Sequence, residues 1–121
     1  MEAAKTIAFG GVLALACLAA LPLRAGDKQK AAEEAGAALF RAQDCGHCHG
    51  EAGIGGKKGP PLTDIRKDKV WPPERIAKQI LNGGQKMPPF GESLTDEQVA
   101  ELVAFLRAKH RPPVPPPAAE R

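Results

Sequence analysis

The sequence predicts a small all-α domain that is built around something other than its own side chains. The chain has 121 residues, enough for one domain and too few for two with ordinary cores. Apolar residues recur at helical spacing, and no stretch alternates apolar and polar residues as a strand would. One Trp, four Phe and no Tyr make a thin core, and a small domain is hard to stabilise by burial alone. We therefore expect a bound group to fill the middle of the fold.

Residues 1–25 are predicted to be a signal peptide that is not part of this domain. Lys5 is followed by an apolar run from Thr6 to Leu23, and the small residue Ala25 marks the expected cleavage point. Two alternatives stay open. The same run is just long enough to span a bilayer as a retained anchor, and Cys17 ends a stretch, LALAC, that resembles a bacterial lipoprotein signal. We expect an exported, periplasmic protein, which is held at the membrane if either alternative applies.

The first two helices are predicted from the spacing of apolar residues. One runs from about Lys28 to Gln43, and four of its residues share the face toward the core: Ala35, Gly36, Leu39 and Phe40. The next begins at Pro73, a residue that suits the first helical position, and stops before Gly83. Its buried side is expected to consist of Ile76, Ile80 and Leu81.

The last helix has the clearest start signal. The pattern Thr95-x-x-Gln98 predicts a capping box, in which side chain and backbone at the helix start satisfy each other. Four apolar residues then follow the i, i+3, i+4, i+7 spacing of one buried face: Val99, Leu102, Val103 and Leu106. Charges that suit the helix dipole lie at both ends, with Asp96 and Glu97 at the start and Arg107, Lys109 and Arg111 at the end.

The folded domain is expected to span residues 26–111. The segment RPPVPPP that follows His110 holds too many prolines for a helix. Residues 112–121 are therefore expected to form an extended, mobile tail of the polyproline type. A plain chain end is the simpler interpretation of this tail, and a ligand for a partner's groove is the alternative.

The stretch DCGHCHG, residues 44–50, carries the chemistry of the chain. Two thiols three positions apart occur in zinc sites, redox disulfides and covalent haem sites. A structural zinc site takes four ligands, whereas Cys45, Cys48 and a neighbouring histidine supply three, with only His110 elsewhere. A redox C-x-x-C belongs in a βαβ pattern that this chain lacks. A plain disulfide that closes so short a loop stabilises little.

The sequence C-x-x-C-H is the attachment signature of c-type haem, and this interpretation uses every feature of the stretch. The thiols of Cys45 and Cys48 each add across one vinyl group of the haem and form thioethers. His49 follows directly, so that it is carried under the iron and offers a ring nitrogen as the proximal ligand. We therefore expect one haem c, attached through the two cysteines, with His49 as a metal ligand.

Met87 is the candidate for the second axial ligand of the iron. Methionine and histidine ligation together are typical of electron-transfer cytochromes, and the only other methionine is Met1. Pro88 and Pro89 restrict the backbone around Met87, which suits a loop that holds a sulfur atom in place. The simpler interpretation is a core methionine that fills a gap.

These stretches together resemble the class I mono-haem cytochrome c family, and the resemblance covers about residues 31–110. GAALFRAQDCGHCHG resembles the first helix and the haem site, GPPL the G-P-x-L stretch that follows, KMPPF the methionine loop, and ELVAFLRAK the last helix. The resemblance implies an all-α cytochrome c fold, three to five short helices wrapped around one covalently bound haem. It also implies that the Pro60 carbonyl accepts a hydrogen bond from His49, that Leu62 contacts the haem, and that Gly36 allows the first and last helices to cross closely.

The function that the resemblance implies is the carriage of single electrons between respiratory-chain partners, without enzymatic activity. A quinol-oxidising complex or a dehydrogenase would be the donor to this monomeric carrier, and a terminal oxidase or a reductase the acceptor. Two alternatives are a gas-binding or sensory haem protein with a labile Met87 ligand, and the cytochrome subunit of a larger dehydrogenase. A net charge of +3 is too small to indicate a nucleic-acid-binding protein.

The surface around the expected haem offers a candidate docking site. Lys57, Lys58 and Lys86 flank the attachment and methionine loops, where a positive rim would steer the carrier onto an acidic partner. Solubility explains the same lysines equally well. Trp71 is expected to pack beside the haem.

Overall fold

The computed structural model describes residues 10–11 and 21–120 of the chain. Over these residues the protein is helical without a strand, as the sequence predicts. The α-helices are α1 (Ala25–Ala42), α2 (Gly46–His49), α3 (Pro73–Asn82) and α4 (Asp96–Arg107), with short 3₁₀ turns at Glu51–Gly53 and Ala118–Glu120. Cys17 and most of the predicted signal peptide lie outside the described residues. Within the described ones, no helix has both the length and the apolar character needed to cross a membrane.

Helix α1 begins three residues earlier than the apolar pattern predicts and ends one residue earlier. The backbone N–H groups of Asp27 and Lys28 both donate to the carbonyl oxygen of Arg24, at 3.0 and 3.1 Å, so the first turn closes at Ala25. Asp27 lies in that first turn, where its negative charge suits the helix dipole. The pattern misses this turn because its residues are exposed and therefore show no apolar periodicity.

The packing of α1 against α4 forms the frame of the domain. Gly36 is buried where the two helices meet, and a Cβ atom at this position would press on the carbonyl oxygen of Glu101 and lie 2.6 Å from the Cβ of Phe105. The close crossing expected at Gly36 is therefore confirmed. The rings of Phe40 and Phe105 pack beside it, with their centroids 5.4 Å apart and their planes inclined at 53°.

The predicted core face of α4 is confirmed, and the structure adds one residue to it. All four residues of the apolar pattern are buried: Val99, Leu102, Val103 and Leu106. Phe105 has no exposed surface at all but lies outside that four-residue pattern. It is three positions after Leu102, so the buried stripe of α4 is wider than a single i, i+3, i+4, i+7 row.

The start of α4 and the whole of α3 follow the sequence signals. The Thr95 hydroxyl accepts from the backbone N–H of Gln98 at 3.2 Å, and the Gln98 side-chain oxygen accepts from the N–H of Thr95 at 2.9 Å. The predicted capping box is thus confirmed. In α3, Ile76 and Ile80 are buried, and Leu81 is only half-buried.

The proline-rich tail lies against the folded domain. No regular structure is present from Arg111 to Pro117, in agreement with an extended segment. Val114 is half-buried and packs on the hydrophobic core. The Arg41 side chain donates from Nε to the carbonyl oxygen of Pro115 at 2.7 Å. The mobility expected for residues 112–121 remains a prediction.

Replacing Gly36 with alanine is expected to destabilise the domain. The new Cβ has no room between the helices, and overpacking of this kind typically costs about 1–3 kcal/mol, more than the roughly 1 kcal/mol that alanine gains in helix propensity. Denaturant unfolding of the purified protein measures the change. Ala38→Ser, on the exposed face of the same helix, is the control and should change stability by about 0.5 kcal/mol or less. A Gly36→Ala protein as stable as the unmodified one would contradict the close crossing.

Candidate cofactor site

A cavity of about 1350 Å³ lies between the helices and the two loops that connect them. All six residues that the sequence assigns to cofactor binding line it: Cys45, Cys48, His49, Pro60, Leu62 and Met87. Its remaining walls are largely apolar and include Phe40, Ile65, Trp71, Ile76, Ile80, Phe90, Leu102 and Leu106. Away from the crossing of α1 and α4, the helices and loops thus enclose a large and mostly apolar space, as the walls of a cofactor pocket do.

The two cysteines line the cavity at the single turn of α2: Cys45 directly precedes this helix and Cys48 lies within it. The backbone N–H of Cys48 donates to the carbonyl oxygen of Cys45 at 3.3 Å, and the N–H of His49 donates to the same oxygen at 3.1 Å. This helical turn brings residues three positions apart to one face, so both thiols line the same cavity as the histidine. Cys45 and Cys48 are not joined by a disulfide.

The surroundings of Cys45 differ from those of typical reactive cysteines. Burial raises the pKa of the Cys45 thiol to about 11; a backbone hydrogen bond lowers this pKa in part, and the negative charge of Asp44 raises it slightly. Reactive and metal-binding cysteines have lowered pKa values instead, because the thiolate is the reactive form. Among the described residues, no group of three or more His, Cys, Asp or Glu side chains is arranged to hold a metal ion. A tethering role fits these cysteines better than a zinc site.

His49 is oriented by a backbone carbonyl. Its Nδ1 lies 2.9 Å from the carbonyl oxygen of Pro60, and because a carbonyl can only accept, Nδ1 must carry the proton. Nε2 is then the nitrogen with a free lone pair for a metal. Of the two carbonyls of the Pro60–Pro61 pair, the structure joins the first to His49.

The loop after the haem motif folds back onto that motif. The N–H of Gly59 donates to the carbonyl oxygen of Cys48 at 2.7 Å, and the N–H of Gly55 donates to that of His49 at 2.8 Å. Gly50 has a φ angle of +81° and lies so close to Gly55 that a Cβ atom would collide with its backbone. These contacts fix the segment that carries Pro60 in relation to the histidine ring.

Met87 lies on a loop that is hydrogen-bonded to the end of α3. The N–H of Gly84 donates to the carbonyl oxygen of Met87 at 2.9 Å, and the Gln79 side chain donates to that of Gly83 at 3.0 Å. Further along, the N–H of Phe90 donates to the carbonyl oxygen of Ile80 at 3.0 Å. The half-buried Met87 thioether is thus carried by a restrained segment of the cavity wall.

The rim of the cavity is mixed in charge. Lys58, Lys67 and Lys86 line it together with Asp44, Asp64 and Asp68. Lys67 lies 3.6 Å from Asp64 in an exposed pair, and Lys58 Nζ lies 2.9 Å from His47 Nε2. Lys57, which was expected on this rim, is exposed but does not line the cavity. The sequence shows that lysines flank the loops but not which of them face the cavity.

Trp71 lines the cavity, and Arg75 holds it from the side. The Arg75 guanidinium carbon lies 4.4 Å from the centroid of the Trp71 ring, a cation–π contact. The Arg75 Nη1 group also donates to the carbonyl oxygen of Val70 at 2.8 Å. Arg75 lies one turn after Trp71, and this spacing is the only sequence signal for the pair.

The residues of the cavity fit a covalently attached haem. The candidate donors are the His49 imidazole and the Met87 thioether, which are the nitrogen and sulfur ligand types of electron-transfer haems. Two thiols stand on one turn next to the imidazole, and the apolar walls suit a large aromatic macrocycle. The fit rests on the same residues that the C-x-x-C-H signature and the methionine loop indicate.

Comparisons with known proteins agree with this fit. Residues 31–106 match the sequence model of a family described as "Cytochrome C oxidase, cbb3-type, subunit III". A cbb3-type cytochrome c oxidase subunit FixP from Sinorhizobium medicae is 33% identical over 105 residues, which cover 77% of this chain and 35% of that protein. The chain thus spans about a third of the length of FixP.

Two further relatives are also named as cytochromes. Cytochrome c6 from a Nostoc species is 32% identical over 76 residues, covering 61% of this chain and 68% of the relative. The cytochrome c subunit of a menaquinol:cytochrome c reductase from Bacillus subtilis is 35% identical over 68 residues, covering 56% of this chain and 25% of the relative. The family match, residues 31–106, covers most of α1, nearly all of α4, and the whole of α2, α3 and the two loops that line the cavity.

Proposed function

The chain belongs to the c-type cytochromes, in the family described as "Cytochrome C oxidase, cbb3-type, subunit III". On this premise we propose that it carries single electrons between respiratory-chain partners. When bound, haem c supplies a one-electron couple at its iron. The observation that carries the proposal is that the two thiols, the His49 imidazole and the Met87 thioether all line one largely apolar cavity. Of the relatives reported above, none is named as a sensor or as a dehydrogenase subunit.

The roles of the individual residues follow from their surroundings. Cys45 and Cys48 are the tethers, and His49 is the proximal ligand through the Nε2 atom that its contact with Pro60 leaves free. Met87 is the second axial ligand, held by a loop whose hydrogen bonds leave little freedom to lose on binding. Leu62 contributes to the apolar wall. Two protein ligands leave the iron no vacant position, which favours an electron carrier over a catalyst or a gas sensor.

The partners are proposed to be redox proteins, with a quinol-oxidising complex or dehydrogenase as donor and a terminal oxidase or reductase as acceptor. Lys58 and Lys86 lie on the cavity rim, and Lys57 is next to Lys58 in the exposed loop. Lys67 is less suited to steer a partner, since its exposed pair with Asp64 already satisfies it in part. An acidic partner surface is expected to approach the side of Lys57, Lys58 and Lys86.

The site of action is proposed to be the periplasm, with the carrier freely diffusing after removal of residues 1–25. This proposal is supported by the basic and apolar pattern of that segment. Retention of the segment as an anchor, or lipidation at Cys17, would give a membrane-bound form of the same carrier.

The intact mass of the mature protein tests both attachment and processing. We expect a polypeptide that begins at or near Gly26 and is heavier by one haem, which stays bound after denaturation because thioethers are covalent. Cys48→Ser should leave at most one thioether and a poorly matured protein. Cys17→Ser is the matched control and should not change the mature mass. A mature chain with zinc or with an internal disulfide would contradict haem attachment. A mature chain with an acylated Cys17 would contradict the proposed processing.

The spectrum of the oxidised protein tests the second axial ligand. With Met87 on the iron, the protein should be low-spin and show a weak near-infrared band of thioether-to-iron charge transfer. Met87→Ala should abolish that band and lower the reduction potential, because a thioether ligand raises it. Gln85→Ala, an exposed neighbour in the same loop, should preserve the band. Ready binding of carbon monoxide by the unmodified reduced protein at neutral pH would favour a sensory role instead.

The salt dependence of electron transfer tests the docking surface. Rates with an acidic partner should fall steeply as salt rises, because charges are screened beyond about 8 Å at physiological ionic strength. Reversing the charges of Lys57, Lys58 and Lys86 together should slow the bimolecular step and leave the reduction potential nearly unchanged. The control variant reverses three lysines that do not line the cavity: Lys28, Lys30 and Lys109. Equal slowing by both variants would mean that only net charge matters.

A further inference from the structure

Arg111 makes more hydrogen bonds to distant parts of the chain than its position after the last helix suggests. Its Nη1 group donates to the carbonyl oxygen of Ala52 at 2.7 Å, and its Nη2 group donates to those of Leu62 and, at 2.9 Å, Leu106. Its Nε group also reaches Leu106, at 3.3 Å. One half-buried guanidinium therefore joins the end of α4 to two points of the loop that follows the haem motif.

Each of the three carbonyls belongs to a segment in which a hydrogen bond from Arg111 has a specific consequence. Leu106 is in the last turn of α4, where carbonyls have no partner within the helix. Ala52 has a φ angle of +52°, a left-handed conformation that costs energy for a residue with a side chain. Leu62 is two residues after Pro60, whose carbonyl holds the His49 ring. The guanidinium thus fixes both a strained turn and the segment that orients the proximal histidine.

The two loop contacts are also joined to each other. The N–H of Leu62 donates to the carbonyl oxygen of Gly53 at 2.7 Å, so the segments on either side of the loop are paired where Arg111 binds them. A planar guanidinium can donate in several fixed directions at once, whereas an ammonium acts as a compact point charge. Replacement by lysine should therefore keep the charge but not the complete set of contacts.

The surroundings of Arg111 make a purely solubilising role a poor explanation. Burial lowers the pKa of Arg111, and the negative charge of Asp64 acts in the opposite direction. The guanidinium carbon lies 5.7 Å from the centroid of the Phe105 ring, which is fully buried. Partial desolvation of a charge is unfavourable unless hydrogen bonds compensate for it, and here the compensating partners are the carbonyls of the haem loop.

We propose that Arg111 is a positioning residue for the proximal ligand: it holds the Pro60–Leu62 segment so that the Pro60 carbonyl keeps its hydrogen bond to His49. This inference rests on the proposed function, because it takes His49 as the ligand of the haem iron. Arg111 lies outside the residues that match the family, 31–106. The hydrogen bond on Nδ1 raises the basicity of the imidazole as a ligand. Arg111 does not line the cavity, so it would act on the proximal ligand only through the two backbone segments that it holds.

The solvent exchange of the His49 Nδ1 proton, followed by NMR in the reduced holoprotein, measures this role directly. The variants are Arg111→Lys, which keeps the charge, and Arg111→Gln, which removes it. Loss of the Arg111 contacts to Ala52 and Leu62 should weaken the hydrogen bond between His49 and Pro60. We expect the exchange of the Nδ1 proton to become about tenfold faster, the effect of losing one hydrogen bond of ordinary strength. The matched control is Arg107→Gln, in the last turn of α4, which removes a charge from a side chain with no hydrogen bond to the described residues.

The reduction potential separates positioning from charge. Arg111→Lys should raise the potential, because a less basic imidazole favours the oxidised iron less. Arg111→Gln should have a lower potential than Arg111→Lys, since it also loses a positive charge near the cofactor. If the glutamine variant does not accumulate, the comparison of Arg111→Lys with the unmodified protein still decides the question.

The outcomes distinguish this inference from the function on which it rests. Faster exchange and a raised potential in Arg111→Lys, with neither change in Arg107→Gln, would support the positioning role. A lowered melting temperature with unchanged exchange and potential would show that Arg111 only stabilises the fold, and would overturn the inference while leaving the electron carrier intact. Absence of covalent haem from the unmodified protein would overturn the proposed function and this inference together.

Discussion

Gly36 lies where α1 and α4 cross, and the closeness of that crossing determines how the rest of the chain is arranged. With no room for a side chain between them, the two helices form a rigid pair whose aromatic residues, Phe40 and Phe105, pack at the contact. Helix α1 then delivers the chain directly into the motif at Cys45, and α4 delivers it to Arg111. The loop that follows the haem motif is therefore held at its start by α1 and, through Arg111, by the end of α4. The cavity lies between this loop, the helices and the Met87 loop.

The candidate ligands are positioned mainly by backbone hydrogen bonds rather than by packing. Pro60 orients His49 through a carbonyl, and the Met87 segment is held by bonds to the end of α3. Such contacts suit a domain with few large side chains, because they restrain loops without requiring more core. They also satisfy backbone groups that would otherwise face an apolar cavity at a cost of about 1–3 kcal/mol each. The same hydrogen bonds thus restrain the loops and satisfy their backbone N–H and C=O groups.

The features that could be predicted from the sequence are those set by neighbouring residues. Three such features depend on spacings of only a few residues and can be recognised in the sequence itself: the capping box at Thr95, the apolar face of α4 and the motif at Cys45. The i, i+3, i+4, i+7 spacing does not include Phe105, because the buried face of α4 is wider than the single row of residues that this spacing describes. The role of Arg111 was not predictable, since its partners are carbonyl groups 49 and 59 residues away, and every residue type has a carbonyl. Its sequence signal indicated only a favourable charge at a helix end.

The same distribution of contacts limits the means by which this chain can tune its iron. Among the described residues, no polar or charged side chain is fully buried. The six charged side chains that line the cavity are all exposed, so solvent and salt weaken their effect on the cofactor. The other means of tuning the potential are the identity of the two proposed axial ligands, the hydrogen bond on His49 and partly buried charges such as Arg111. Of these, the hydrogen bond and Arg111 lie on the proximal side and are coupled through the segment that ends at Leu62. Variation of the residues just after α4 would therefore change the potential without altering any residue that contacts the haem.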